Sequence, residues 1–177
     1  MTDPLPENLH ATLLTNHGDI RVQLFPNHAP KTVRNFVELA DGTREWTDPR
    51  TRAKRSDPFF DGLTFHRVIK GFVCQGGCPE GSGRGGPGYK FADELPKAGR
   101  YELGSLAMAN SGPNTNGSQF FLISGPSGMG LPPQYALFGK VVKGLDLVEQ
   151  MQSVPTGPGD RPKTPLVIDS VTISEAD

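Results

Sequence analysis

Hydrophobic and polar positions along the chain change period several times. His10 to Thr15 and Ile20 to Phe25 carry apolar positions at a two-residue spacing around Asn16-His17-Gly18-Asp19, a pattern that predicts a β-hairpin. From Pro30 the spacing lengthens. Val33, Phe36, Val37 and Ala40 fall at i, i+3, i+4 and i+7, one buried stripe of a helix that Pro30 opens and Gly42 ends. Ala29 is a poor cap, which leaves the start of that helix without a local signal. Strand patterns return at Phe65–Ile69, Phe72–Gln75, Ser105–Ala109, Gln119–Ile123, Tyr135–Val142 and Leu166–Ile173. In the last of these Leu166 and Ile168 share a face. Gly144–Met151 reads as a second helix, with Leu145, Val148 and Met151 inward. Many short strands, two helices, no βα alternation and no internal repeat predict a mainly β fold: an antiparallel closed barrel with two helices. Residues 1–9 read as a loose arm ahead of a single domain over residues 10–177.

Composition narrows the class. The chain has 177 residues, enough for one domain with a real core. Its 22 glycines and 17 prolines call for many turns. A net charge of −1 gives no global electrostatic case for nucleic acid or an anionic membrane. No apolar run of about 18 residues occurs, so no spanning helix is expected, and the N-terminus lacks the pattern of a signal peptide. Two cysteines suit a reducing compartment, with the cytoplasm as the default. Thr43 to Pro58 is polar, with five Arg/Lys residues, three acidic ones and the single tryptophan, Trp46. It reads as a surface loop with one aromatic anchor, distant in sequence from every candidate site residue.

Candidate chemistry concentrates in Phe65–Gly77. The two-residue period sets Arg67 between Phe65 and Ile69 on one face, a cation in an apolar row. Past Gly71, Phe72 and Val73 add apolar bulk, and Gln75 shares a face with Val73. An arginine and an amide beside such groups suit a pocket for a small apolar group attached to backbone. Taken alone, the arginine reads more simply as a snorkelling or paired residue at a sheet edge. Seven glycines lie between Gly76 and Gly88, but no helix start and no Gly-Lys-Ser/Thr follows, which argues against a phosphate loop. The four histidines are scattered without metal spacing, and Cys74 and Cys78 do not form a Cys-x-x-Cys pair.

A second stretch changes the weight of the first. Phe65-His66-Arg67-Val68-Ile69-x-Gly71-Phe72-Val73-x-Gln75-Gly76-Gly77, followed by Met108-Ala109-Asn110-Ser111-Gly112-Pro113-Asn114-Thr115-Asn116-Gly117-Ser118-Gln119-Phe120-Phe121, resembles the cyclophilin family of peptidyl-prolyl cis-trans isomerases, in its bacterial branch. Ala29-Pro30-Lys31-Thr32-Val33-x-Asn35-Phe36 and Phe138-Gly139-Lys140-Val141 extend the likeness to nearly all of the chain outside the arm and the 43–58 segment. The resemblance implies an eight-stranded antiparallel barrel capped by two helices, with the site on its outer face. It makes Arg67 the catalytic cation and gives Gln75 and Asn110 the substrate backbone. Ala109 and Ser111 would line the groove, and Phe72, Val73, Phe121 and Leu131 would form a proline pocket. Gln119 and Gly83 would border a neighbouring subsite, and Tyr135 stands where many members have histidine. The implied partners are proline-containing peptides and unfolded clients, acted on by a monomer without metal or cofactor. A proline-binding chaperone or a scaffold is the alternative. Cys78 departs from the usual aspartate. Gly130 departs from the tryptophan that precedes the pocket leucine in many members, so cyclosporin is expected to bind weakly.

Overall fold

The computed structural model describes residues 4–175; of the expected arm, residues 1–3 lie outside the described residues. In chain order the elements are β1 (Leu9–Thr15), β2 (Gly18–Leu24), α1 (Pro30–Asp41), β3 (Trp46–Thr47), β4 (Lys54–Arg55), β5 (Arg67–Ile69), β6 (Val73–Gly76), β7 (Ser105–Met108), β8 (Phe120–Ile123), α2 (Pro126–Met129), β9 (Leu137–Lys143), α3 (Leu145–Gln152), β10 (Thr156–Gly157), β11 (Arg161–Pro162) and β12 (Ile168–Glu175). Eight strands form one antiparallel sheet in the order β12-β1-β2-β9-β7-β8-β6-β5; β10–β11 and β3–β4 pair separately. The expectation of a closed barrel with two helices is met only in part. No strand ladder joins β5 to β12 among the described residues, so the sheet is curled and open as a strand order. At the seam, Phe65 N–H donates to Leu166 O (2.9 Å) and Ile168 N–H to Leu63 O (2.7 Å). The third α-helix, α2, is a single turn inside a Gly/Pro-rich stretch that has no helical period in the sequence.

The hairpin forms where the alternation places it, with Thr15 opposite Gly18. β1 starts at Leu9, within the expected arm, because Leu9 is buried in the core. Between β1 and β12 the register shifts at Leu14/Thr15, which skips Asp169 and lets Ile168 and Val171 both reach the core. Phe36, Phe60, Phe65, Phe120 and Phe138 fill the centre; Phe120 meets Phe36, Phe60 and Phe65 edge-on at 5.8, 5.7 and 6.0 Å. Phe65 is therefore a core residue and does not share a face with Arg67. It lies before β5 in irregular backbone, where a two-residue count does not hold. In α3, Val148 and Met151 are buried as expected, but Leu145 is exposed at the first helical position.

α1 shows how an uncapped helix is completed. Ala29 offers no side-chain bond, and Gly42 ends the helix in the left-handed region at φ 81°. The Glu94 carboxylate supplies what Ala29 lacks. It accepts Thr32 N–H (2.7 Å), Lys31 N–H (3.2 Å) and the Thr32 hydroxyl (2.8 Å). The two N–H groups are amide donors that a helix start leaves unpaired, and the positive end of the helix dipole favours the carboxylate there. Glu94→Ala is expected to lower stability by about 1–2 kcal/mol, as loss of a cap does. Equilibrium urea unfolding checks this, and an unchanged midpoint would mean that water replaces the carboxylate without cost.

Candidate active site

Cross-strand register assembles the site. Arg67 stands opposite Gln75, Gln75 opposite Phe121, Phe121 opposite Ala107 and Ala107 opposite Leu137, a single row over β5, β6, β8, β7 and β9. One step along, Ile69, Val73 and Ile123 form a second row on the same face. The neighbouring residues Cys74, Phe120 and Leu122 point to the core instead. The outer face carries its own apolar cluster of Val73, Tyr101, Ala107, Phe121, Ile123 and Leu137, with Phe25, Phe72, Ala109, Leu131 and Tyr135 packed on it. Phe72, Val73, Phe121, Leu131, Ala109 and Tyr135 thus come together, and the Tyr135 ring stands edge-on to Phe121 at 5.5 Å.

Polar groups run along one margin of this cluster. Arg67 Nη1 donates to Gln75 Oε1 (3.2 Å), Gln75 Nε2 donates to Gln119 Oε1 (3.0 Å), and Gln119 Nε2 donates to the carbonyls of Gly83 and Gly85 (both 2.9 Å). Beyond Gln119 a cleft of about 940 Å³ opens, lined by residues that include Gln75, Gly83, Ala109, Asn110, Ser111 and Gln119. Asn110 spends its side chain locally: Nδ2 donates to Gln134 O (2.9 Å) and Oδ1 accepts Gly112 N–H (3.1 Å).

The likeness that the motifs suggested now has independent support. The family model described as "Cyclophilin type peptidyl-prolyl cis-trans isomerase/CLD" matches residues 10–173. The chain belongs to the cyclophilin family of peptidyl-prolyl cis-trans isomerases. It is 54% identical over 173 residues to peptidyl-prolyl cis-trans isomerase B of Streptomyces anulatus, covering 96% of this chain and 98% of that one. With the probable peptidyl-prolyl cis-trans isomerase A of Mycobacterium leprae it shares 50% over 177 residues, 98% of this chain and 97% of the other. A crystal structure of a cyclophilin type isomerase from Cryptosporidium parvum superposes with a TM-score of 0.80 at 31% identity, covering 95% of this chain and 98% of that one. The same protein was also solved in the presence of the dipeptide Ala-Pro. No helix among the described residues is long and apolar enough to cross a membrane.

Several supports of this cyclophilin's site lie outside the motifs. The Tyr101 hydroxyl, buried under the apolar cluster, donates to Tyr135 O (2.7 Å) and lies 3.2 Å from Tyr135 N, fixing the backbone that presents the Tyr135 ring. Gly71 and Gly125 approach so closely that a Cβ on Gly125 would sit 2.2 Å from Gly71 C. That contact seats α2 under Phe72, where Ser127 N–H reaches Gly71 O (3.0 Å) and Ser124 N–H reaches Phe72 O (2.9 Å). Nothing in the local pattern of either stretch signals the other, so sequence spacing could not have found them.

The 43–58 segment is also closer to the site than its position in the chain suggests. Trp46 is buried, edge-on to Phe59 at 4.7 Å, and donates Nε1–H to Asp57 O (2.9 Å). Thr47 N–H donates to Pro87 O (2.9 Å), Arg50 Nη2 donates to Glu80 O (3.2 Å), and Thr47 and Pro49 line the cleft. The segment braces the glycine-rich loop that holds Gln119. Replacing it with a short turn is therefore expected to cost about 3–5 kcal/mol through Trp46 alone and to slow turnover of a tetrapeptide. A shortened protein with the parent's urea midpoint and the parent's rate would show that the segment is a mere appendage.

His66 adjoins Arg67 yet points inward. It is 5% exposed, and neither ring nitrogen meets a protein partner. Burial, with the charges of Arg161 and Arg67, pushes its pKa down to about 4, so the ring stays neutral beside the guanidinium at neutral pH. A protonated unfolded chain then gains on the folded one as pH falls from about 6.5 to about 4, below which both forms carry the proton. His66 should cost the protein on the order of 2–3 kcal/mol of stability across that window. Denaturant titrations of the parent and His66→Phe at pH 7 and pH 4 check this: the difference should move in favour of phenylalanine at the lower pH. A difference that does not change with pH would place the ring's proton equilibrium elsewhere.

Proposed function

We propose that this cyclophilin isomerises X–Pro bonds in unfolded or flexible protein segments with Arg67 as the catalytic cation and Gln75 as its orienting partner. The observation that carries this reading is the single cross-strand row in which Arg67 and Gln75 run directly into the apolar cluster at Phe121. Phe72, Val73, Phe121 and Leu131 form the proline pocket, walled by Tyr135. Ala109, Asn110 and Ser111 line the groove, with Gln119 and Gly83 at its far end. Since the Asn110 side chain is committed to Gln134 and Gly112, its main chain is the part that meets substrate backbone. The seam between residues 62–65 and 166–168 supports reading the curled sheet as a barrel closed by these bonds. The protein acts as a cytoplasmic monomer that assists folding.

The chemistry follows from the amide. Rotation about X–Pro breaks resonance across about 18–20 kcal/mol and takes tens to hundreds of seconds unaided. In the twisted state the prolyl nitrogen regains its lone pair and the carbonyl loses charge separation. An apolar pocket penalises that less polar state less than the planar one. A guanidinium N–H aimed at the nitrogen gains a partner only once the lone pair exists, which is differential binding. Reaching an enzyme-like ~10²–10³ s⁻¹ from ~10⁻² s⁻¹ takes roughly 5–7 kcal/mol. A charge-assisted hydrogen bond supplies about 1.5–3 kcal/mol of it. Pocket desolvation and backbone anchoring supply the rest, and no nucleophile is needed.

Arg67→Ala should remove most of the isomerase rate, with little effect on stability, because the side chain is only half-buried and its bond is to Gln75. Lysine should rescue poorly for lack of a planar fork. Exchange spectroscopy on an Ala-Pro peptide measures the rate without a protease, and undiminished turnover by Arg67→Ala would refute the assignment. A proline-binding module without catalysis would be equally indifferent to that change.

Cyclosporin gives a second test. Gly130 ends α2 with φ −88° and leaves open space: a Cβ there would meet nothing nearer than Ser127 O at 3.7 Å. Without an indole at this rim, the ligand loses a donor and an aromatic face, about 2–4 kcal/mol or ~30- to 1000-fold in affinity. Gly130→Trp, which the open backbone can accept, should tighten cyclosporin by that order while leaving peptide isomerisation in place. Equal and tight inhibition of parent and variant would sink the assignment of this rim.

A further inference from the structure

The glycine-rich loop that receives Gln119 is itself held from below by sulfur. Cys78 Sγ accepts Gly85 N–H (3.2 Å) and Gly83 N–H (3.3 Å), with the Ser82 hydroxyl 3.9 Å away. These are the same two residues whose carbonyls take both protons of the Gln119 amide. Donors therefore run one way through the whole set, from Arg67 to Gln75, to Gln119, to the loop carbonyls, and from the loop amides to sulfur. The loop amides and the loop carbonyls belong to different peptide units, so the link through the loop is one of position: a turn that shifts off the sulfur carries the Gln119 acceptors with it.

We infer that Cys78 is a positioning residue for the isomerase site: its sulfur sets the 82–85 turn, the turn sets the Gln119 amide, and Gln119 and Gln75 set the guanidinium of Arg67. The inference rests on the proposed role of Arg67. Cys78 touches no substrate, and at 0% exposure it is not a reactive thiol. Cys74 provides the contrast within the same chain. It too is 0% exposed, but it lies among core residues, and burial pushes its thiol up to about 12. Burial opposes ionisation at Cys78 as well, yet the main-chain N–H groups of Gly85, Glu80, Gly83 and Ser82 together bring that thiol below its ordinary value. The departure from aspartate at this position then has a physical reading. A sulfur and a carboxylate can both accept amide protons from the loop, whereas an apolar side chain cannot.

The test compares Cys78→Ala, Cys78→Asp and Cys74→Ala by two readouts, the ¹H–¹⁵N side-chain amide signals of Gln75 and Gln119 and kcat/KM on an Ala-Pro peptide. Cys78→Ala strands two amide donors, so the glutamine signals should move toward those of solvated glutamine and kcat/KM should fall roughly tenfold. Cys78→Asp should restore part of both. Cys74→Ala should lower the melting temperature and leave both readouts of the folded protein in place. Should Cys78→Ala fail to fold, Cys78→Ser, with a shorter reach to the same amides, should give the same changes at smaller size. Unmoved glutamine signals in a folded Cys78 variant would overturn the inference, as would moved signals with an unchanged kcat/KM. The amide signals do not depend on Arg67 being catalytic, so they separate failure of this relay from failure of the proposed mechanism, which Arg67→Ala tests directly.

Discussion

The two-residue period of β6 and β8 is the constraint on which the molecule depends. It sends Cys74, Phe120 and Leu122 into the main core and Val73, Gln75, Phe121 and Ile123 to the other side of the same sheet. Both faces of these strands are apolar, so the outer face needs a cover of its own. That cover is made from loops: Phe72 from the β5–β6 turn, Leu131 from beyond α2, and Tyr135 ahead of β9. The cover is incomplete, since Phe72, Leu131 and Tyr135 are themselves only partly buried on it. The same alternation that stabilises the interior leaves an apolar outer surface, with the guanidinium of Arg67 in register beside it.

Strands β5, β6 and β8 carry Arg67, Val73, Gln75 and Phe121, loops carry the groups around them, and the sheet and helices hold those loops. The β5–β6 turn is tied to α3 by the bond from Gly71 N–H to Gln152 Oε1 (2.9 Å), and α2 is packed beneath it. The glycine-rich loop is pinned by the β3–β4 hairpin on one side and by Cys78 on the other. The ties to Gln152 and from Thr47 and Arg50 join residues far apart in the chain, whereas Cys78 holds a turn only five to seven residues ahead of it. The pocket and its polar margin therefore hold their geometry only once the whole domain is folded.

Legibility in the sequence follows from this division. Where a side chain's role is set by its own element, the pattern reveals it: the hairpin, the stripe on α1, and Val148 and Met151 inward on α3. Phe65 misled because a period count was carried through residues that are not in strand. Leu145 misled because the first turn of a helix need not face the core. α2, the Tyr101 hydroxyl, the Glu94 carboxylate and the bracing by Thr47 and Arg50 had no local signal, since each is a contact between distant stretches. The motif resemblance named candidate site residues that periodicity could not, but not the bonds that hold them.

The placement of Glu94 has a consequence for how the chain comes into being. α1 receives the acceptor for its first amides from a residue 62 positions further on. During synthesis the helix emerges roughly 3–12 s before its cap at ordinary elongation rates. Through that interval its buried stripe of Val33, Phe36 and Ala40 has neither a finished N-terminus nor the later strands to cover it. A nascent chain of this isomerase thus exposes an apolar helix of its own, and for that interval it resembles the unfolded segments on which its family acts.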